Sequence, residues 1–538
     1  MVLGLCGLPV LTGRSGLHLP RVALLPLCIA AFLLLQYPWQ ADGQRTLTLT
    51  ALLYLVWAFL LMLQVGALLR VFSLNKLADW LARALILAAL INACSLILFH
   101  TGVRSGWGWL FFRPDARANL AQVNLLADLI WLGIASTLYC WHQSERRALM
   151  WATALPVLLV ASAFTGARAP LLYAPWLVLT ALILGGARIR RAALFTAVTY
   201  VAVAWLVHLM PFNTLTGAGS VSRMMASAHF ATGGNVRLGL MSIAAEIALA
   251  HPFGGAGWGS FAWESYLRVS PQLGWQGTAE HAHQLLFQMA AELGFFAPLL
   301  LLVCLGLWAW PQWRQRVVLR TQPAAWWAAS AVGVILLHAQ LEYPLWYAHF
   351  LGVCVVLLVC AEQKTYLLRK LQISGGLVVC LLATGGYLLL SNGRDYMQLE
   401  SWLYIDMRRS GQTVSEGHYR LLAELHQGSL MQPQASRMLA AVMPPTAERL
   451  VGKQDICRRA LMSEPQSPAV FTCALLDGLA GDTVLAEQRW RQALLVFRED
   501  APDYLNRLKT TLTAEQLAMH EPLLQVAGQV LKSSSIEY

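Results

Sequence analysis

The sequence predicts an all-α fold, a polytopic helical membrane protein, and three observations carry that prediction. Of 538 residues, 57% are hydrophobic and 12% charged, about half the charge of an ordinary soluble domain. The mean hydropathy is +0.53. Apolar runs long enough to cross a bilayer recur along the chain, and in lipid the backbone of such runs is satisfied by helices. The net charge of +11 does not point to nucleic acid, because much of the excess sits in short loops between apolar runs, as the positive-inside rule requires.

The candidate spans are roughly 21–37, 48–69, 77–100, 119–139, 148–165, 170–186, 192–210, 284–310, 324–341, 345–361 and 373–391, about eleven in all. The first begins at Arg21 and shows no cleavage pattern near residue 37, so it is expected to stay as an anchor. Arg14 with Arg21, Arg70 with Lys76, Arg146-Arg147, Arg188 to Arg191, Arg314 to Arg320 and Lys364 to Lys370 all fall on one side of such a bundle, the cytoplasmic one. The register divides the chain into amino-terminal spans (1–210), a long outer loop (211–283), carboxyl-terminal spans (284–391) and an outer helical domain (392–538).

Charges then gather on the outer face. The loop 101–118 carries Arg104, Arg113 and Arg117, and the short turn from Thr165 to Pro170 carries Arg168. A single Arg can serve only to end a helix or meet lipid headgroups, but a lone charge in so short a turn between two apolar spans is costly and usually functional. Within the outer loop, Asn235 to Ala250 reads as an amphipathic helix with Arg237 and Glu246. His251 to Phe261 is rich in glycine, which permits positive φ and could turn backbone amides toward a phosphate. The loop ends in Glu280-His281-Ala282-His283-Gln284, beside Leu285-Leu286-Phe287-Gln288.

The tail has the composition of a soluble domain. Glu416–Gln427, Thr446–Ser463, Ala469–Ala480 and Val484–Phe497 read as helices, with Thr446 as an N-cap after Pro444-Pro445. Leu475 to Asp482 followed by Ala486 to Leu494 is similar to a tetratricopeptide hairpin, which cannot bury its own core alone. Seven of the ten cysteines lie in or beside apolar runs and Cys6 in the amino-terminal segment. Cys457 and Cys473 lie in the tail and can pair if it is extracytoplasmic. No cysteine or histidine spacing suits zinc, and no paired or clustered carboxylates suit another metal; no cofactor is expected.

These residue types suit one chemistry. Arginine forks match phosphate oxygens and favour a lipid-linked phosphate or diphosphate at a membrane boundary. A histidine at that boundary can take a proton from an attacking hydroxyl. The bland alternative for His281 and His283 is interfacial hydrogen bonding.

Taken together, the motifs resemble those of the O-antigen ligase and polymerase superfamily. Glu280 to Gln288 resembles its histidine motif, Arg237 with Pro252 to Phe261 its outer loop, and Arg168 its short outer turn. Asn119 to Ala127 and Leu341 to Gly352 resemble the protein O-oligosaccharyltransferase branch, the PglL-like enzymes, and the soluble tail suits that branch. The chain departs from it where Ala118, Ala121 and Val123 replace two glycines and a proline, and where Gln284 replaces a common asparagine. The resemblance implies His283 as the residue that activates the acceptor, supported by His281 and Glu280. It implies Arg168, Arg237 and Arg117 as diphosphate ligands, and Gln122, Asn124, Glu342, Tyr343 and Tyr347 along the acceptor or sugar. Tyr343 and Tyr347 would also suit an aromatic belt, and Gln122 helix packing.

The implied activity moves a glycan from undecaprenyl diphosphate to Ser or Thr of exported proteins such as pilin, at the periplasmic face of a bacterial inner membrane. The alternatives are a ligase with lipid A core as acceptor and a polymerase whose acceptor is another lipid-linked glycan. A transporter is disfavoured, since it would bury charges at mid-span.

Overall fold

The computed structural model describes residues 2–12, 17–100, 118–120, 122–144, 148–209, 231–269, 278–362, 365–368, 373–406 and 415–533. The membrane part is built from Leu24–Gln36 (α1), Asp42–Val71 (α2), Leu74–His100 (α3), Val123–Gln143 (α4), Ala148–Phe164 (α5), Pro170–Leu184 (α6) and Ala187–Leu209 (α7). After the loop helices Ala231–Ala250 (α8) and Phe261–Arg268 (α9) it continues as Leu285–Leu293 (α10), Phe296–Arg314 (α11), Pro323–His338 (α12), Ala348–Glu362 (α13) and Gly375–Asp406 (α14). This is an all-α polytopic membrane protein. Among the described residues, Arg21–Trp39, Asp42–Val71, Leu74–His100, Val123–Gln143, Ala187–Leu209, Phe296–Arg314 and Gly375–Glu400 are long and apolar enough to cross a membrane. The expected spans at 148–165, 170–186, 324–341 and 345–361 fall on the shorter apolar helices α5, α6, α12 and α13.

The helix α4 is the centre of the bundle: 83% of its apolar stretch is buried inside the protein, against 6% for α14. Small residues let the helices approach, as at Gly133, where an added Cβ would lie 2.4 Å from that of Ala89 on α3. Two buried indoles have hydroxyl partners, Trp131 Nε1 on Ser162 Oγ and Trp327 Nε1 on Ser136 Oγ, both at 2.9 Å, which spares those N–H groups the cost of lying unpaired away from water.

Three details differ from the sequence reading. The span 284–310 is two helices, broken at Gly294, whose φ is 82°. An added Cβ there would meet Phe253 O at 2.5 Å, so the break is where the glycine-rich loop docks. Thr446 is no N-cap: its helix starts at Leu450 behind Arg449, and its carbonyl and hydroxyl instead accept from Lys453 Nζ at 3.1 and 2.7 Å. A short antiparallel pair, Leu17–Pro20 (β1) with Thr365–Leu368 (β2), ties the segment before α1 to the one before α14.

The tail comprises Glu416–Gly428 (α15), Gln432–Val442 (α16), Leu450–Ser463 (α17), Ala469–Leu479 (α18), Thr483–Val496 (α19), Ala501–Thr511 (α20) and Glu521–Ser533 (α21). α18 and α19 form the expected hairpin, with Gly481 at φ 91° and Asp482 capping α19 through Leu485 N at 3.1 Å. Cys457 and Cys473 form a disulfide between α17 and α18. Part of the cover for this core comes from outside the tail: Trp263, Tyr266 and Val269 of the α9 segment join Phe471, Trp490 and Tyr504 in it. Gln492 Nε2 donates to Tyr266 O at 2.5 Å. The α9 segment is thereby packed into the core of the tail.

Candidate active site

The histidine motif is held by amide capping. Gln284 is the N-cap of α10, its Oε1 accepting from Phe287 N at 2.7 Å, while its Nε2 reaches Gln340 Oε1 at 2.9 Å. The residue that departs from the family's usual asparagine therefore spans from its own helix to the end of α12, a reach that suits the longer side chain. Leu285 N donates to Ala339 O at 2.9 Å, and Ala282 N to Gln288 Oε1 at 2.6 Å. So fixed, His283 sits at φ 53°, a left-handed conformation that a non-glycine residue adopts at some cost and that surrounding contacts must enforce.

The centre of the site is Glu342, in the turn that follows α12. Its carboxylate is 8% exposed and gathers residues from three distant parts of the chain. Oε2 accepts from His283 Nδ1 at 2.8 Å. Oε1 accepts from Arg237 Nη2 of α8 at 2.5 Å and from Asn124 Nδ2 of α4 at 3.2 Å. Burial would raise this carboxyl, but the His283 hydrogen bond and charge and the Arg237 guanidinium outweigh it and hold it below the ordinary value. An ionised carboxylate only accepts, so the proton in this contact sits on His283 Nδ1, and Nε2 points away from Glu342.

His281 plays a different part. Burial, helped by His283 and opposed by Glu280, lowers it to about 4, so it is neutral at physiological pH. Its ring packs 4.3 Å from Tyr343 and 5.0 Å from Trp346, centroid to centroid. Tyr343 also meets His283 edge-on at 5.3 Å and stacks on Tyr347 at 6.1 Å. Burial, with Tyr347 and Glu342 adding, pushes the Tyr343 phenol up to about 12; it is a hydrogen-bond donor rather than a base. Glu280 is exposed and lies 3.6 Å from Arg437 of the tail. A polar cavity of about 330 Å³, lined by Val236, Leu240, Thr278, His281, His283 and Tyr343, opens beside the Glu342 cluster.

Gln122 precedes α4 with extended backbone, and its buried Oε1 has no partner among the described residues. Arg168 is exposed in the turn before α6. Arg117, with Arg104 and Arg113, lies outside the described residues. Several amides of the glycine-rich stretch are used within the fold rather than left for a ligand. Ala256 N and Gly257 N donate to Ala291 O and Glu292 O at 2.9 and 3.1 Å, spending themselves on the carbonyls that end α10. A Cβ at Gly255 would lie 2.2 Å from Glu292 C, which is why glycine is needed.

A second tier was missed in the sequence. One turn below Asn124 and one turn before Glu342, Asp128 of α4 and His338 of α12 form a hydrogen-bonded pair with no exposure. Tyr173 Oη of α6 donates to Asp128 Oδ1 at 2.6 Å. His338 O in turn accepts Glu342 N at 2.8 Å. A lone Asp inside an apolar run was the available signal. The sequence reading, which gathered charge at one face, is corrected here: ionisable groups are also buried within the bundle.

Two family models match the chain. One described as O-Antigen ligase covers residues 88–302, and one described as Virulence factor membrane-bound polymerase, C-terminal, covers residues 326–510. No curated protein and no solved structure matches. Asn124, Arg237 and His283 fall in the first match and Glu342 in the second, so the cluster is assembled across both. By these matches the chain belongs to the O-antigen ligase and polymerase superfamily.

Proposed function

We propose that the protein is an O-oligosaccharyltransferase, moving glycan from undecaprenyl diphosphate to Ser or Thr hydroxyls of exported proteins such as pilin, at the periplasmic face of the inner membrane. The observation that carries the reading is the contact of His283 Nδ1 with buried Glu342, which leaves Nε2 as the base. In the transfer, Nε2 takes the acceptor hydroxyl proton as that oxygen attacks the anomeric carbon. The bond from carbon to the diphosphate oxygen breaks, and its electron pair leaves with the diphosphate. The imidazolium formed is stabilised by Glu342, and the proton is later given up to solvent or product. Arg237 keeps N–H donors beyond the one spent on Glu342, and with Arg168 and Arg117 it would hold the leaving diphosphate without a metal. Gln122, whose carbonyl has no partner among the described residues, with Tyr343 and Tyr347, would meet the acceptor or the sugar.

The tail favours a protein acceptor over lipid A core, because its core merges with the α9 segment of the site loop. The test is coexpression with a lipid-linked glycan and a candidate pilin in cells lacking other glycosyltransferases. Mass-shifted pilin that disappears with His283→Ala is the expected result. A shift that persists in that variant overturns the mechanism, and glycan on lipid A core with unmodified pilin moves the assignment to ligase.

A further inference from the structure

A larger cavity of about 410 Å³ is also lined by His281, and Glu342 is not among its lining residues. Its floor is aliphatic, from Ile29 of α1, Ala51 and Leu55 of α2, and Met289 and Leu293 of α10. Trp258 and Trp346, stacked at 5.8 Å, form part of its wall. The tail supplies Pro433, Gln434 and Arg437. Glu280 and His281 line this cavity and the polar one alike, so the two meet at the histidine motif.

The chemistry of the mouth selects the occupant. His281 Nδ1 and Gln434 Oε1 are buried there without partners among the described residues, a neutral imidazole nitrogen and an amide oxygen awaiting a ligand's polar groups. Arg437 is already claimed by Glu464 and, at 3.6 Å, by Glu280. Glu292 also lines the cavity. Among the lining residues Arg437 is balanced by Glu280 and Glu292, which leaves no net positive charge for a diphosphate or a phosphorylated saccharide, and neither Arg237 nor Arg168 lines this space. An aliphatic floor repels a sugar as well. A polypeptide fits: its amide N–H can donate to Gln434 and its apolar side chain can fill the floor.

We infer that this cavity is an acceptor subsite, seating an apolar side chain of the same polypeptide segment whose Ser or Thr reaches His283. The inference rests on the protein-acceptor reading above and adds a selectivity: apolar residues near the modified hydroxyl are read by α1, α2, α10 and the tail. An apolar side chain buried there lowers acceptor KM at least about tenfold.

The experiment uses the full chain in lipid nanodiscs with undecaprenyl-diphosphate glycan and two synthetic peptides, each with one Ser, one carrying a nearby Phe and the other Asp in its place. Wild type should show a KM at least about tenfold lower for the Phe peptide. Ala51→Trp, which fills the floor, and Gln434→Ala, which removes the mouth acceptor, should each raise the Phe-peptide KM about fivefold or more, with donor KM unchanged. Gln434→Ala carries the test if Ala51→Trp does not fold. Phe-peptide KM unchanged in both variants, with transfer intact, overturns the subsite alone. A raised donor KM with unchanged peptide KM overturns it in favour of a lipid chain in the cavity. Absence of transfer to any peptide or pilin by wild type overturns the protein-acceptor reading and the subsite together.

Discussion

Replacing Glu342 with Gln tests the site at its node. The substitution keeps the shape and an oxygen that can accept, and removes the charge that faces His283 Nδ1 at 2.8 Å. Two unit charges with centres about 4 Å apart interact by about 4 kcal/mol at an effective dielectric of about 20. Arg237, on the same carboxylate and 35% exposed, already offsets part of that charge. The loss felt by the imidazolium in the transition state is then about 2–3 kcal/mol, which lowers kcat about 30- to 150-fold. The assay is the initial rate of glycan transfer by purified protein in nanodiscs at saturating donor and acceptor. Because Glu342 acts on the base, Glu342→Gln should add little to the kcat loss of His283→Ala, and the double variant reads that coupling. A kcat within about threefold of wild type in a folded Glu342→Gln protein, or losses that multiply in the double variant, would refute the reasoning.

Four further outcomes follow. Arg237→Lys exchanges a planar fork for a point charge, and donor KM should rise about tenfold with kcat less affected, as measured by donor titration. Asp128→Ala removes the partner of both His338 and Tyr173 in a cluster where neither Asp128 nor His338 is exposed; thermal unfolding in detergent should show about 3 kcal/mol lost. Cys473→Ser opens the disulfide across a separation of 16 residues and should cost about 3 kcal/mol, lowering the melting temperature of the full chain. His281 is held near 4 against an ordinary 6.5, so the unfolded chain takes the proton first, and stability falls as pH drops from about 6.5 to about 4. The loss reaches at most about 3 kcal/mol below that window and should be absent from the melting curves of His281→Asn.

Much of the fold was legible because its signals are local. Apolar run length located the bundle, and the hairpin at Gly481-Asp482 showed itself through a cap and a turn residue. Gly294 inside the apolar run 284–310 gives no local sign of a break, since a glycine is tolerated in a membrane helix and only the docking of Phe253 makes it one. The histidine motif was legible as titratable groups at a membrane boundary. The rank of its members was not: Glu342 stands 59 residues from His283, 105 from Arg237 and 218 from Asn124, and only folding brings three such positions onto one carboxylate. The glycines of Pro252 to Phe261 misled for a related reason. Amides free to bind an anion and amides spent on a neighbouring helix end look alike until the neighbour is known.

The two tiers also explain why the site needs residues inside the bundle. Asn124 and Asp128 stand four apart on α4, and His338 stands four before Glu342 at the end of α12, so both pairs repeat along facing helices. Asn124 pairs with Glu342 and Asp128 with His338, and Tyr173 brings α6 to the lower rung. A rigid lower rung restricts how far α12 can slide or turn against α4. That restriction reaches Glu342 directly, because His338 O holds its backbone N–H. Glu342 in turn sets the tautomer of His283, whose left-handed backbone cannot be kept by local preference alone. The aim of His283 is thus determined from within the bundle as well as from the loop that carries it.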